Sequence, residues 1–273
     1  MRELLRVRPE SFRLADVDPD EVVAGPDDRD EARAEIAALE EEVADLHERL
    51  WAAARAGGSR QRLLIVLQGM DTSGKGGAAK AVDRLLDPAG FAVVGFGKPT
   101  DEEKAHHYLW RHERQLPEPG RVRLWDRSHY EQVLVVRVHE LGPWEGAYDE
   151  INAWEDALVR DGLTLLKVML HISREEQAER LLARLADPDK HWKYNPADVD
   201  ERKLWDAYQA AYEDALTRCS TDAAPWHVVP ANHKWHRDWL VAHLVLETLR
   251  EMDPRYPPGD FDVEAEIARV EAS

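Results

Sequence analysis

Several features that define broad classes of protein are scarce in this sequence. The 273 residues include a single cysteine, Cys219, which excludes an internal disulfide and suits a reducing compartment. No apolar run approaches the ~20 residues that a membrane-spanning helix needs. The charged start, rich in Pro and Asp, is unlike a signal peptide. We therefore expect a cytoplasmic protein with no membrane partner.

An excess of positive charge is also missing. The formal net charge is −18, with 54 acidic against 36 basic residues. This balance argues against general binding of nucleic acids, so any polyanion must be held by a local basic site. No internal repeat of solenoid length is visible. The length suits one large α/β core with a small appended module.

The strongest positive signal is Leu63–Lys80, with the sequence LLIVLQGMDTSGKGGAAK. Its continuous apolar run predicts a strand buried on both faces, and a helix-forming segment follows the glycines. Glycines let backbone N–H groups approach an oxyanion, and the helix N-terminus adds partial positive charge. This pattern predicts a phosphate-binding loop with Lys75 on the transferred phosphate, built from Gly69, Gly74, Lys75, Gly76 and Gly77. A glycine-rich turn without a ligand is the alternative.

The loop lacks the Ser or Thr hydroxyl that ordinarily follows the lysine and binds Mg²⁺, because that position is Gly76. Asp71 is the nearest replacement ligand within the loop. A second carboxylate, Asp126, ends the short strand in VRLWDRSHY and is expected beside the loop. Arg127 would neutralise phosphoryl oxygens, and Glu131, one turn further on, would order the site. A surface ion pair is the alternative for Asp126 and Arg127, and we interpret His129 as a packing residue.

The remaining pattern alternates strands and helices, which predicts a parallel sheet covered on both faces. An arm is expected over 1–30, lying on the domain surface. Strands are predicted at 63–67, 91–97, 122–126, 164–172 and 226–230, helices at 30–56, 101–115, 148–161, 201–218 and 233–252, and a polar tail at 253–273. The apolar stripe of the first long helix favours packing on its own domain over a coiled coil, with a subunit contact as an alternative.

Two further groups of residues could bind substrate. Lys98 and Thr100 follow the second strand, where open α/β sheets bind ligands, although Thr100 would serve equally well as a helix N-cap. The proline-broken segment after Ser173 interrupts the α/β rhythm and resembles a lid. Arg180 and Arg184 share one helix face there, and Lys190 and Lys193 follow. A solvated helical hairpin is the alternative.

These residues together resemble the polyphosphate kinase 2 family. The similarity rests on GMDTSGKGG at 69–77, DRSHYE at 126–131 and ARLADPDKHWK at 183–193, and it covers nearly the whole chain. The text SHYEQVLVVRVH is most similar to the subclass that phosphorylates nucleoside mono- and diphosphates, in which some members carry Asn at the position of Asp126. The resemblance implies a three-layer α/β/α phosphate-loop kinase fold, similar to thymidylate kinase, with a helical lid at about 174–205. The N-terminal arm and long helix would occupy 1–58 and the kinase domain 59–273.

The family resemblance also implies an activity and its site. Such an enzyme transfers phosphoryl groups between inorganic polyphosphate and ADP, AMP or ATP, with Mg²⁺ or Mn²⁺, and forms a homodimer or homotetramer. Asp71 and Asp126 would hold the metal, while Lys75, Arg127 and Arg184 would stabilise the transferred group. The polyphosphate would contact Lys80, Arg84, Arg180, Lys190 and Lys193, and the nucleotide would contact Lys98, Thr100, Arg127 and Glu131. The alternatives are an ATP-dependent nucleoside monophosphate kinase, a nucleotide-binding switch and a structural module.

Overall fold

A parallel sheet of five strands forms the centre of the computed structural model, which describes all 273 residues. The strand order is β2-β3-β1-β4-β5. The strands are β1 (Arg62–Gln68), β2 (Phe91–Gly95), β3 (Val122–Asp126), β4 (Leu163–His171) and β5 (Trp226–Pro230). Every residue of β1 is buried, because helices cover both faces of the sheet. The predicted parallel α/β sheet is confirmed.

The helices form the two outer layers. They are α1 (Arg2–Leu5), α2 (Arg29–Ala38), α3 (Glu40–Arg55), α4 (Lys75–Asp83), α5 (Asp101–Lys104), α6 (Trp110–Glu113), α7 (Val135–Val138), α8 (Ala147–Arg160), α9 (Arg174–Ala186), α10 (Ala197–Glu201), α11 (Trp205–Arg218), α12 (Lys234–Met252) and α13 (Val263–Glu271). One apolar core joins the sheet to α2, α3, α4 and α12, and the other joins it to α8 and α11. Alternate residues of β1 enter opposite cores, as the two-residue period of a strand requires. No helix combines the length and apolarity needed to cross a membrane.

Four predicted elements differ from the structure. The long first helix is divided at Leu39 into α2 and α3. The helix predicted over 101–115 is reduced to the single turns α5 and α6, and in α6 the ring of His112 packs 4.4 Å from that of Phe96, the residue after β2. The helix predicted from Glu201 starts as a regular helix only at Trp205. The tail contains the exposed helix α13.

The N-terminal arm is bonded to the body of the protein at several places. The backbone N–H of Val7 donates to the carbonyl of Trp226 at 2.8 Å, and Arg6 forms an antiparallel bridge with His227. The N–H of Leu14 donates to the carboxylate of Glu213 on α11 at 2.9 Å. The arm therefore lies along the outer edge of β5.

Candidate active site

The loop between β1 and α4 has the backbone that a phosphate-binding loop needs. Gly69 and Gly74 have φ angles of 149° and 102°, which residues other than glycine rarely adopt. A β-carbon on Gly69 would lie 2.6 Å from the carbonyl oxygen of Leu170. Thr72 also has a positive φ, of 66°. The loop is thus a tight turn, stable only with glycine at its first and last positions.

Lys75 lies over this loop. Its Nζ donates to the carbonyl oxygens of Gly69, at 2.8 Å, and Met70, at 3.3 Å. Burial lowers the pKa of Lys75, and the nearby carboxylates of Asp126 and Asp71 act against that shift. The ammonium group is therefore held where phosphates bound by the loop would meet it.

The carboxyl end of β3 lies next to the loop. Leu67 of β1 pairs with Asp126 of β3, so the two strands end at the same edge of the sheet. The Asp126 carboxylate is partly buried and forms no hydrogen bond or ion pair with protein groups. Nη2 of Arg127 lies 2.7 Å from Oδ1 of Asp71, and Arg127 has a positive φ of 66°. The structure thus brings Asp71, Lys75, Asp126 and Arg127 together.

At both Arg127 and Glu131, burial disfavours the charged form of the side chain, and neighbouring groups of opposite charge favour it. Burial disfavours the charge of Arg127, but Glu131 and Asp71 outweigh it and raise the pKa of the guanidinium. Burial also raises the pKa of Glu131, against the opposing attraction of Arg127 and Lys75. The carboxylate of Glu131 therefore faces the cations of the site.

A buried ionic network holds the segment that follows Arg127, through His129 and Tyr130. Lys167 in β4 donates from Nζ to Glu155 at 2.6 Å and to the hydroxyl of Tyr130 at 2.8 Å. Tyr130 donates to the same carboxylate at 2.9 Å, and His129 contacts it at 3.1 Å. His129 is thus buried and held within this network by Glu155, and its interpretation as a packing residue stays a prediction. The sequence interpretation missed Glu155 and Lys167, although a lysine inside an apolar strand was a visible signal.

The prediction that Arg180 meets phosphate as a mobile cation does not fit the structure. Its guanidinium is buried and donates to the carbonyl oxygens of Thr72, Ser73, Ala231 and Asn232 at 2.6–3.0 Å. Nε donates to Glu176 at 2.6 Å. Gln177, which the sequence interpretation missed, donates to the carbonyl of Asp71 at 3.0 Å. The inner face of α9 therefore fixes the backbone of the phosphate loop.

Arg184, the second arginine predicted in the lid, contacts a carboxylate near the loop. Its Nη1 donates to the carbonyl of Lys193 at 3.1 Å and lies 3.5 Å from Asp198. Burial and then the charge of Asp71 raise the pKa of Asp198, which places that carboxylate beside the loop. Lys190 pairs with Asp187, and Lys193 lies over the ring of Trp192, both on the exposed outside of the segment. Neither lysine contacts the loop, although the charge of Lys190 contributes to a lowered pKa of Lys234 on α12. The predicted contacts of Lys190 and Lys193 with polyphosphate stay predictions.

Lys98 and Thr100, the two nucleotide contacts predicted after β2, are both exposed. The hydroxyl of Thr100 accepts from the N–H of Glu103 at 3.2 Å, and Glu103 accepts from the N–H of Thr100 at 2.8 Å. This reciprocal arrangement is a capping box, which fits the N-cap alternative for Thr100. Lys98 forms no ion pair.

A basic groove of about 980 Å³ begins at the N-terminus of α4. Lys80 and Arg84 line it together with Gly77, as expected for residues one turn apart on a helix. Arg29 and Arg33 on α2 line it too, as do His233 and Lys234 at the start of α12. The basic residues outnumber the three acidic residues of the lining, which are Glu40, Glu176 and Asp238. The sequence interpretation missed these contributions, because α2 and α12 are far from the loop in the chain.

The site fits a divalent cation in its chemistry. Asp126 at the end of β3 and Asp71 in the loop after the adjacent strand β1 supply hard oxygen donors. The Asp126 carboxylate has no protein partner that would compete, whereas one oxygen of Asp71 is paired with Arg127. No cluster of three or more His, Cys, Asp or Glu side chains is arranged to hold a metal ion. A pair of carboxylates completed by phosphate oxygens and water is the arrangement that Mg²⁺ ordinarily takes in kinases.

Comparisons with known proteins agree with one another. The sequence model of the polyphosphate kinase 2 family matches residues 27–257. The AMP/ADP-polyphosphate phosphotransferase of Meiothermus ruber is 43% identical, over 92% of this chain and 94% of that protein. The ADP-polyphosphate phosphotransferase of Rhodopseudomonas palustris is 37% identical, over 80% and 78%. The crystal structure of polyphosphate kinase 2 from Arthrobacter aurescens TC1 superposes with a TM-score of 0.95 and 46% identity, covering 99% of this chain and 96% of that one.

Proposed function

The chain belongs to the polyphosphate kinase 2 family, and we propose that it transfers a phosphoryl group from inorganic polyphosphate to ADP or AMP, reversibly. The observation that supports this donor most directly is the basic groove that continues from the phosphate loop past Lys80 and Arg84. A nucleoside triphosphate ends within a few ångströms of such a loop, whereas a polymeric phosphate needs cations beyond it. An acidic protein holds a polyanion in this way by concentrating cations in one groove.

The acceptor phosphate attacks the terminal phosphorus of the donor directly, in line, and no covalent intermediate with the protein is needed. The new P–O bond forms to the acceptor oxygen as the bond to the shortened polyphosphate breaks. The loop N–H groups and Lys75 hold the transferred group, and Arg127 stabilises its charge. Glu131 and the Asp71 carboxylate hold the Arg127 guanidinium in place.

We propose Asp71 and Asp126 as the metal ligands. When bound, Mg²⁺ would neutralise charge between the donor and acceptor phosphates. Arg180 fixes the loop, whereas Arg184 belongs to a lid at about 174–205 that meets phosphate on closure.

The experiment that tests this function asks whether polyphosphate or ATP is the phosphoryl donor. The protein is incubated with Mg²⁺, AMP or ADP, and either polyphosphate or ATP, and the nucleotides are quantified by chromatography. We expect ATP from ADP, and ADP from AMP, only when polyphosphate is present. Transfer from ATP to AMP with no dependence on polyphosphate would instead identify an ATP-dependent nucleoside monophosphate kinase.

We also propose that the enzyme is a homodimer or homotetramer, an expectation that comes from the family resemblance. Light scattering coupled to size-exclusion chromatography tests it directly. A mass of one chain at all concentrations would contradict it.

A further inference from the structure

One guanidinium touches the phosphate loop from outside the motifs described so far. Arg237 lies in the first turn of α12 and is only 3% exposed. Its Nε and Nη2 donate to Oδ1 of Asp238 at 2.9 and 2.6 Å, and its Nη1 donates to no protein group. A β-carbon on Gly77 would lie 2.6 Å from Nη2, and one on Gly74 would overlap Nη1. The guanidinium therefore lies directly against the start of α4.

Arg237 belongs to a cluster of like charges. Lys234, one turn earlier on α12, forms no ion pair. Partial burial lowers the pKa of Lys234, and repulsion from Arg180, Arg237 and Lys190 adds to this effect, while the carboxylate of Glu176 opposes it. The donors of Arg180 are already taken by carbonyl groups and Glu176. When Glu176 and Asp238 are counted against Arg180, Lys234 and Arg237, one positive charge remains in excess, and an anion bound among these groups would offset it.

The position of the cluster identifies the anion that it suits. Lys234 lines the same groove as Gly77, Lys80 and Arg84, so both α4 and α12 contribute to it. The free Nη1 of Arg237 lies next to Gly74, and its Nη2 lies against the groove residue Gly77. A phosphate chain leaving the loop along α4 would pass close to both Arg237 and Lys234.

We propose that Arg237 and Lys234 bind the phosphate of the donor that follows the one held by the loop. Nη1 of Arg237 donates to its oxygens, and Lys234 adds a point charge at the groove. Asp238 is a positioning residue, because it fixes the plane of the guanidinium. This assignment rests on the proposed function, and it makes α12 part of the donor site.

The test compares Arg237→Gln and Lys234→Gln with Arg250→Gln. Arg250 is on the same helix but pairs with Glu42 on the protein surface, so its loss should leave activity unchanged. Wild-type transfer from polyphosphate is measured first, and its absence would refute the proposed function without testing these residues. Kinetics then give kcat and KM for polyphosphate and for ADP, and calorimetry gives the affinity for each ligand at several salt concentrations.

We expect Arg237→Gln to raise the KM and Kd for polyphosphate by about tenfold to a hundredfold, the effect of a lost charge-assisted hydrogen bond. Lys234→Gln should have a smaller effect in the same direction. Both should reduce the salt dependence of polyphosphate binding, because fewer counterions are released. The affinity for ADP should not change.

Two results would overturn the assignment. If Arg237→Gln weakens ADP and polyphosphate equally, Arg237 only supports the shape of the loop. If Lys234→Gln binds polyphosphate like the wild type, the cluster is not a phosphate site. This second variant also decides the matter should Arg237→Gln fail to fold, because the Lys234 side chain has no protein partner to lose.

Discussion

Gly76 and Gly77 are adjacent in α4, yet a methyl group would meet different surroundings at each. At Gly76 no atom lies within 4 Å of the position of a β-carbon. At Gly77 the buried guanidinium of Arg237 lies 2.6 Å away. The hydroxyl missing after Lys75 is therefore not excluded by lack of space, and the metal ligands must come from elsewhere in the site.

This difference predicts opposite effects on stability. Gly76→Ala should raise the free energy of unfolding by about 0.5–1 kcal/mol, because alanine restricts the unfolded chain and favours a helix. Gly77→Ala should lower it by about 1–3 kcal/mol, because the methyl group must displace Arg237. Urea unfolding of both variants without ligands checks the prediction. Equal shifts for the two variants would show that Arg237 does not restrict this position.

The metal assignment is tested at Asp126. Asp126→Ala should lower kcat by at least ~10² at saturating Mg²⁺, because a charge-stabilising element is lost from the transition state. The side chain has no protein partner, so the melting temperature should change little. Asp71→Ala should have a similar effect on kcat but also leaves Arg127 without its ion pair. Activity near that of the wild type for either variant would remove that residue from the site.

At the scale of single elements, α9 combines two kinds of arginine. Arg180 is buried against the loop carbonyls, whereas Arg184 is a quarter exposed and contacts Asp198 at 3.5 Å. On one face of α9, Arg180 thus holds the loop, and Arg184, one turn later, forms an ion pair with Asp198 near the site. A lid that closes on substrate would exchange the Arg184–Asp198 contact for one with phosphate.

Arg184→Ala should therefore depress kcat by roughly 10²–10³, since a cation that meets the phosphoryl group on closure stabilises the transition state more than the ground state. Calorimetric binding of ADP alone should change little. Steady-state kinetics with each substrate varied in turn provide the measurement. An unchanged kcat with a raised KM for ADP would make Arg184 a static nucleotide contact instead.

The elements that sequence reasoning predicted correctly are those whose signal is local. β1, β4 and β5 are predominantly apolar runs, and the loop glycines adjoin Lys75 in the chain. The single turns α5 and α6 were not predictable in this way, because His112 in α6 packs on Phe96, which lies in the loop after β2. The hydrogen bonds from Arg180 to the loop carbonyls were not predictable either, since the bond to Thr72 joins residues 108 apart in the chain. Local pattern therefore fixes the strands and the loop, while the contacts across the site depend on tertiary packing.

For the whole molecule, several buried histidines predict sensitivity to acid. Burial lowers the pKa of His112 to about 3 and the pKa of His171 and His227 to about 4. In the unfolded chain these groups titrate near the usual ~6.5. Above that pH they are neutral in both states and have no effect. As the pH falls from 6.5 towards 4, only the unfolded chain gains protons, so stability is lost over this window.

Each such histidine should add up to about 1.4 kcal/mol of destabilisation per pH unit in that window. Urea unfolding at pH 7.5, 6.5 and 5.5 should therefore show a steep decline below 6.5. His171→Asn should make the decline shallower, whereas His106→Gln, at an exposed position, should not. A flat profile between pH 7.5 and 5.5 would contradict the assignment of these histidines as buried and neutral.

The arm along β5 has a consequence for the timing of folding during synthesis. The carbonyl of Val7 accepts from the hydroxyl of Ser220, 213 residues later in the chain. At a ribosomal rate of 5–20 residues per second, the arm waits roughly 10–40 s for its partner to be translated. Its apolar side chains Leu5 and Val7 stay uncovered during that interval. Nascent chains arrested before β5 emerges should thus be cut by protease in the arm, and chains released in full should be protected there.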